Sequence, residues 1–130
     1  MTDRQLADLA LDARKHAYTP YSNFNVGAAL LCKDGTVFTG CNVENAAYGS
    51  TICAERTALV KAISEGHRDF AAIAIAGSSD DFCWPCGSCR QMLFEFAPNL
   101  RVLAVRQDGQ FQTATLTELL PHAFGPASLD

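Results

Sequence analysis

Leu6, Leu9, Ala10, Ala13 and Ala17 recur at helical spacing and predict an amphipathic first helix that Tyr18-Thr19-Pro20-Tyr21 ends. The apolar runs Val26 to Leu31 and Thr36 to Gly40 flank Lys33-Asp34-Gly35, which reads as a hairpin of two antiparallel strands. A polar, Asn-rich loop follows from Asn42 to Ser50. From Ile52 to Ser64 the period returns to that of a helix, with Ala54, Ala58, Leu59, Ala62 and Ile63 on one side. That helix begins at Cys53, has Thr51 as its expected N-cap and is stopped by Gly66. Ala71 to Ala76 is continuously apolar, as a strand buried on both faces must be. A loop from Gly77 to Trp84 leads to a third helix, Gly87 to Phe96, then to strands at Arg101 to Val105 and Gln110 to Thr113. A short helix, Leu116 to Leu120, is ended by Pro121. Helices alternating with strands make this an α/β protein, with a five-stranded mixed sheet covered on both faces.

At 130 residues the chain fits one domain spanning 1–130, and therefore one active site. Hydrophobic residues at 48% and charged residues at 18% are the balance of a folded globular protein. No apolar run approaches the roughly 20 residues of a membrane span. The net charge of -4, without a lysine or arginine cluster, excludes the electrostatic footprint of a nucleic-acid polymer binder. Met1-Thr2-Asp3-Arg4-Gln5 does not resemble the start of a secretory signal, so a cytoplasmic protein with reduced thiols is expected. Six cysteines in that setting point to metal or catalytic use.

The cysteines that carry chemistry are Cys53, in Cys53-Ala54-Glu55, and the pair in Pro85-Cys86-Gly87-Ser88-Cys89. Cys86 and Cys89 stand three apart at a helix mouth, where both sulfurs can reach one ion. Cys53 opens the other helix, so two positive dipole ends converge on the thiolates. Three soft ligands leave the fourth position of a tetrahedral Zn2+ open to water, the mark of a catalytic rather than a structural site. Three thiolates on zinc carry a net charge of about -1, for which Arg56 is the nearest compensating cation. Glu55 is not a ligand, because residues two apart do not share a helix face. At the irregular first turn it can project beside the open position as a proton carrier.

The segments Cys41-Asn42-Val43-Glu44-Asn45, Cys53-Ala54-Glu55-Arg56 and Pro85-Cys86-Gly87-Ser88-Cys89-Arg90-Gln91 resemble those of the small homotetrameric, zinc-dependent cytidine deaminases, nearly end to end. The resemblance implies a three-layer α/β/α sandwich, one zinc per chain on Cys53, Cys86 and Cys89, and hydrolysis of cytidine and deoxycytidine to uridine and deoxyuridine with release of ammonia in pyrimidine salvage. In that chemistry zinc-bound hydroxide attacks C4 while Glu55 shuttles the proton. The same resemblance implies that Phe24 stacks on the base, Asn42 and Glu44 bond the ribose hydroxyls, and the Ala54 backbone meets the pyrimidine. It further implies that Tyr48 and Phe124 reach a neighbouring subunit's pocket in a homotetramer.

Three other readings stand beside this one. Cys86-x-x-Cys89 alone also suits a redox pair. Cys83 as a fourth thiolate would make a structural zinc in a module without activity. Within the enzymes, the substrate could be another aminopyrimidine nucleoside of the blasticidin type. Cys32, Cys41 and Cys83 otherwise read as small buried side chains, and His16, His67 and His122 lie outside every motif.

Overall fold

A computed structural model describes residues 1–129. Five strands form one mixed sheet in the order β2-β1-β3-β4-β5. β1 (Gly27–Cys32) lies antiparallel to β2 (Val37–Cys41), with Gly27 opposite Cys41, and on its other side antiparallel to β3 (Phe70–Ala76), with Gly27 opposite Ala76. β3 runs parallel to β4 (Arg101–Val105), and β5 (Phe111–Thr115) closes the edge antiparallel to β4.

The period of two along the strands sorts the core into two layers. Ala29, Ala72, Ala74, Ala76, Leu103 and Val105 face one side, where Leu6, Ala7 and Ala10 of α1 (Asp3–Ala13) pack on them. Ala28, Leu30, Ile73, Ile75 and Val102 face the other. There they meet Ala54, Ala58, Leu59 and Ala62 of α2 (Ala54–Ser64), Leu93 of α3 (Gly87–Phe96) and Leu116 of α4 (Leu116–Leu119). The result is the α/β/α sandwich with a five-stranded mixed sheet. α1 starts on a capping box, Thr2 with Gln5, and stops earlier than its apolar period suggests: a 3-10 turn, Arg14–His16, replaces its last turn. Arg14 there donates to the carbonyls of Leu11 and Gly77 at 3.0 Å each, tying the turn to the sheet.

The alanines and glycines of this core let helices sit close to strands. A Cβ on Gly40 of β2 would lie 2.6 Å from the Ala54 carbonyl oxygen and 2.6 Å from the Ala58 nitrogen. Both are backbone atoms of the first turns of α2, so nothing flexible can yield. Gly40→Ala is therefore expected to push the N-terminus of α2 off the sheet and to destabilise the fold by about 1–3 kcal/mol, the usual range for overpacking. Denaturant unfolding measures it. A stability change under 0.5 kcal/mol would show that α2 is free to move.

Candidate metal centre

The two helices that carry the cysteines begin in the same way. Cys53 is the N-cap of α2 and Cys86 the N-cap of α3, both with extended backbone and neither with a side-chain capping hydrogen bond. Sulfur caps amides poorly, so both thiols stay free to meet a third, Cys89 in the first turn of α3. The three Sγ atoms lie within 4.8 Å of one another, with Cys86 and Cys89 3.4 Å apart. Thr51, expected as the N-cap of α2, is not one. It closes a separate 3-10 turn, Tyr48–Ser50, by donating its N–H to the Tyr48 carbonyl. The intervening residues extend so that Cys53 itself can turn into the helix.

The thiols do not titrate as equals. Donation from the Cys89 thiol and the Arg56 guanidinium holds Cys53 down to about 5, so Cys53 is the anion of the group. Cys89 is pushed up by the bond it gives Cys53 and by burial, and is the proton donor. Arg56 Nη2 stands 3.4 Å from the Cys53 sulfur and also donates to the Thr51 carbonyl at 3.3 Å. It is thus the cation beside the thiolates that the sequence calls for, and contact with Cys53 raises its own pKa further.

Glu55 is the buried charged residue of the described part of the chain, 5% exposed. It occupies the second position of α2 and accepts from no lysine or arginine. Burial pushes its carboxyl up and the neighbouring Cys53 thiolate adds to the rise. A carboxyl so placed takes up and gives back a proton nearer neutrality than one in water.

Of the other expected residues, Asn42 holds the segment that carries Phe24, while Glu44 and Tyr48 share a cleft that none of the three cysteines lines. Ala54 is wholly buried in the first turn of α2. Phe24 is exposed, its ring lying with the Cys83 sulfur where a Cβ on Gly77 would fall, at 2.9 and 3.2 Å. The Asn42 amide accepts from the Val26 N–H at 2.9 Å and donates to the Phe24 carbonyl at 2.8 Å, fixing the segment that carries Phe24. The Glu44 carboxylate accepts from the backbone N–H groups of Tyr21 and Ser22 and from the Ser22 hydroxyl, at 3.0, 3.2 and 2.5 Å. The hydroxyl bond holds Glu44 below the usual carboxylate range. Glu44 also lines a cleft of about 390 Å³ with Tyr21, Ser22, Asn45, Tyr48 and Thr51. Tyr48 and Phe124 are 75% and 61% exposed, and Tyr48 meets Tyr21 edge-on at 5.8 Å. Sequence reasoning missed Tyr21 and Ser22, which hold Glu44 from a loop without periodicity. It also left Arg90 without a role. Arg90 binds the Pro85 and Leu119 carbonyls at 2.7 Å each and so fixes the turn that carries Cys86.

Cys83 does not join the cluster. Among the described residues the mutually close sulfurs are those of Cys53, Cys86 and Cys89 alone. Burial pushes the Cys83 thiol up to about 12, with the charges of Glu55 and Cys53 behind it, so it stays protonated. Bonds of about 2.3 Å to a tetrahedral zinc place sulfurs roughly 3.8 Å apart, which the cluster fits with small adjustments. The soft sulfur donors favour zinc over a hard cation, and the two helix N-termini favour the ionised thiols that bind it.

A sandwich that gathers three cysteine thiols and a buried carboxyl at the starts of two helices has the donor set of a metal-dependent hydrolase. A family model described as the cytidine and deoxycytidylate deaminase zinc-binding region matches residues 1–105, and the chain belongs to that family. Its cofactor is zinc. A cytidine deaminase of Halalkalibacterium halodurans is 53% identical over 94% of each chain, and a probable cytidine deaminase of Dictyostelium discoideum is 46% identical over 94% of this chain and 83% of its own. The crystal structure of cytidine deaminase from Burkholderia pseudomallei superposes with a TM-score of 0.92 at 50% identity, covering 95% of this chain and all of that one.

Proposed function

We propose that this protein is a single-domain, zinc-dependent deaminase that converts cytidine and deoxycytidine to uridine and deoxyuridine. The observation that carries the reading is the buried carboxylate of Glu55 set beside three convergent thiols, two of them helix N-caps. Zinc held by Cys53, Cys86 and Cys89 supplies a Lewis acid that makes water nucleophilic at neutral pH. Glu55 takes the proton of the attacking water and delivers it to N3 of the ring as the oxygen bonds to C4. It then carries the second proton to the amino group, the C4–N bond breaks, and ammonia leaves. Arg56 offsets the excess negative charge of the thiolates. The Ala54 backbone meets the pyrimidine, and Phe24, held by Asn42 and Gly77, presents its ring to the base. Glu44, oriented by Ser22 and Tyr21, and Asn42 serve the ribose hydroxyls.

The uncharged substrate agrees with the absence of any basic stripe, and no helix among the described residues is long and apolar enough to cross a membrane. The reading extends to a cytoplasmic homotetramer in which Tyr48 and Phe124 complete a neighbour's pocket. Its support is the exposed apolar surface of Tyr18, Val43 and Ile52, joined by two β-bridges, beside the Tyr21–Tyr48 pair.

Ultraviolet-monitored conversion of cytidine and deoxycytidine, with ammonia and the zinc-to-chain ratio measured on the same sample, tests the proposal. Protein carrying one zinc per chain is expected to release one ammonia per nucleoside consumed; no release from either nucleoside would sink it. Cys83→Ala tests the metal assignment from the other side. Zinc content and turnover should stay within twofold, at a stability loss of about 1 kcal/mol for the small cavity. Loss of the metal would restore Cys83 as a ligand and the structural reading with it.

A further inference from the structure

The hairpin turn between β1 and β2 and the residues after α2 bring together a second set of ligand-bearing side chains. Cys32 ends β1, Asp34 sits in the turn, and His67 follows Gly66 past the end of α2. One ligand atom from each lies within 4.8 Å of the other two. Cys32 is 2% exposed, and the turn that carries it is closed by Cys32 donating to Thr36 and Gly35 donating to Cys32. Asp34 uses one oxygen to accept from the Thr36 N–H at 3.0 Å and turns the other to His67 Nε2 at 3.4 Å. His67 is held by its backbone N–H on the Ala62 carbonyl and by an edge-on contact with Phe38 at 5.0 Å. Its Nδ1 is buried without any hydrogen-bond partner.

Nε2 is the ring nitrogen turned to the Asp34 carboxylate, so it is the atom that an ion shared with Asp34 would meet. The donors are one sulfur, one imidazole and one carboxylate, a mixture that suits a borderline divalent ion and not the all-oxygen shells of Ca2+ or Mg2+. A thiolate and a carboxylate together balance a charge of +2. The group opens on a cavity of about 510 Å³, which leaves room for water at a fourth position.

We propose that Cys32, Asp34 and His67 form a second metal site, for a divalent transition ion such as Zn2+ or Co2+, at the opposite end of α2 from the first centre. The eleven residues of α2 set the two sites about 16 Å apart, so they fill independently. An ion there clips the β1–β2 turn to the C-terminal end of the helix whose other end carries Cys53 and Glu55. The site does not depend on the proposed reaction.

The test titrates Co2+ into protein already holding one zinc per chain, with zinc content followed throughout. Wild type is expected to take up one cobalt per chain with a thiolate-to-cobalt charge-transfer band while its zinc stays at one per chain. His67→Gln and Asp34→Asn should each weaken cobalt uptake at least tenfold, and Cys32→Ser should abolish the band. Deamination of cytidine by all three, if the catalytic proposal holds, should match wild type. Failure of wild type to take up cobalt overturns the site. So does uptake undiminished in both His67→Gln and Asp34→Asn, or bound cobalt without the band, since the ion would then sit on other surface groups.

Discussion

Glu55→Gln is expected to keep one zinc per chain and to lower kcat for cytidine by about 10²–10⁴-fold, the range that a positioned proton carrier contributes. The substitution preserves shape and leaves the three sulfurs untouched. An amide, however, cannot collect a proton from water and hand it first to the ring and then to the leaving amine. The burial that raises the Glu55 pKa makes the point sharper. A carboxyl whose pKa burial raises takes up and releases a proton more evenly than one in water, and nothing else buried in the described chain carries a titratable carboxyl. The fold should not suffer, because removing an unpaired buried carboxylate also removes the penalty for charging it. Zinc per chain, melting temperature and kcat measured on one preparation separate the outcomes. A kcat within tenfold of wild type, with zinc retained, would assign proton transfer to another group.

How much of this was legible in the chain depends on how local the signal is. α3 has the boundaries its period predicts, and β3 and β4 fall where continuous apolar runs place them, because burial on both faces leaves little choice of residue. β5 is an edge strand with exposed Gln112 and Thr113, and its polar face shifts it a residue or two from the expected span. α1 ends before Ala17, which continues the helical period, because Arg14 leaves the helix to bind the sheet. Thr51 is a good N-cap by residue type, yet a preference worth about 1 kcal/mol is outweighed once Cys53 must face Cys86 and Cys89. The order of the strands, with β1 between β2 and β3, rests on pairings some forty residues apart that no local pattern encodes.

The sites divide along the same line. Cys53, Cys86 and Cys89 announce themselves through spacing at two helix starts. Ser22 and Tyr21, which orient Glu44, and the Cys32, Asp34 and His67 group do not, since the chain brings them together only through the hairpin turn and the loop after α2.

Cys53→Ala is expected to leave less than about 0.1 zinc per chain after dialysis and no measurable deamination. Zinc held by protein thiolates binds with roughly 10–16 kcal/mol, so one ligand of three represents about 3–4 kcal/mol or more, a factor of at least 10²–10³ in affinity. Cys53 is also the thiol that donation from Cys89 and Arg56 holds lowest, so its loss removes the anion on which the group is built. Its removal leaves the Nη2 of Arg56 without its anion, beside an Nε that is already buried and unpaired. Alanine therefore harms both the metal and its counter-charge, and a fall in stability alone would not distinguish ligand from scaffold. Cys53→His makes the distinction. Imidazole is a zinc ligand of similar reach, so this variant should regain close to one zinc per chain, while the centre loses one negative charge and with it the need for Arg56. If Cys53→His stays as metal-free as Cys53→Ala, the position is structural and the zinc belongs to other ligands.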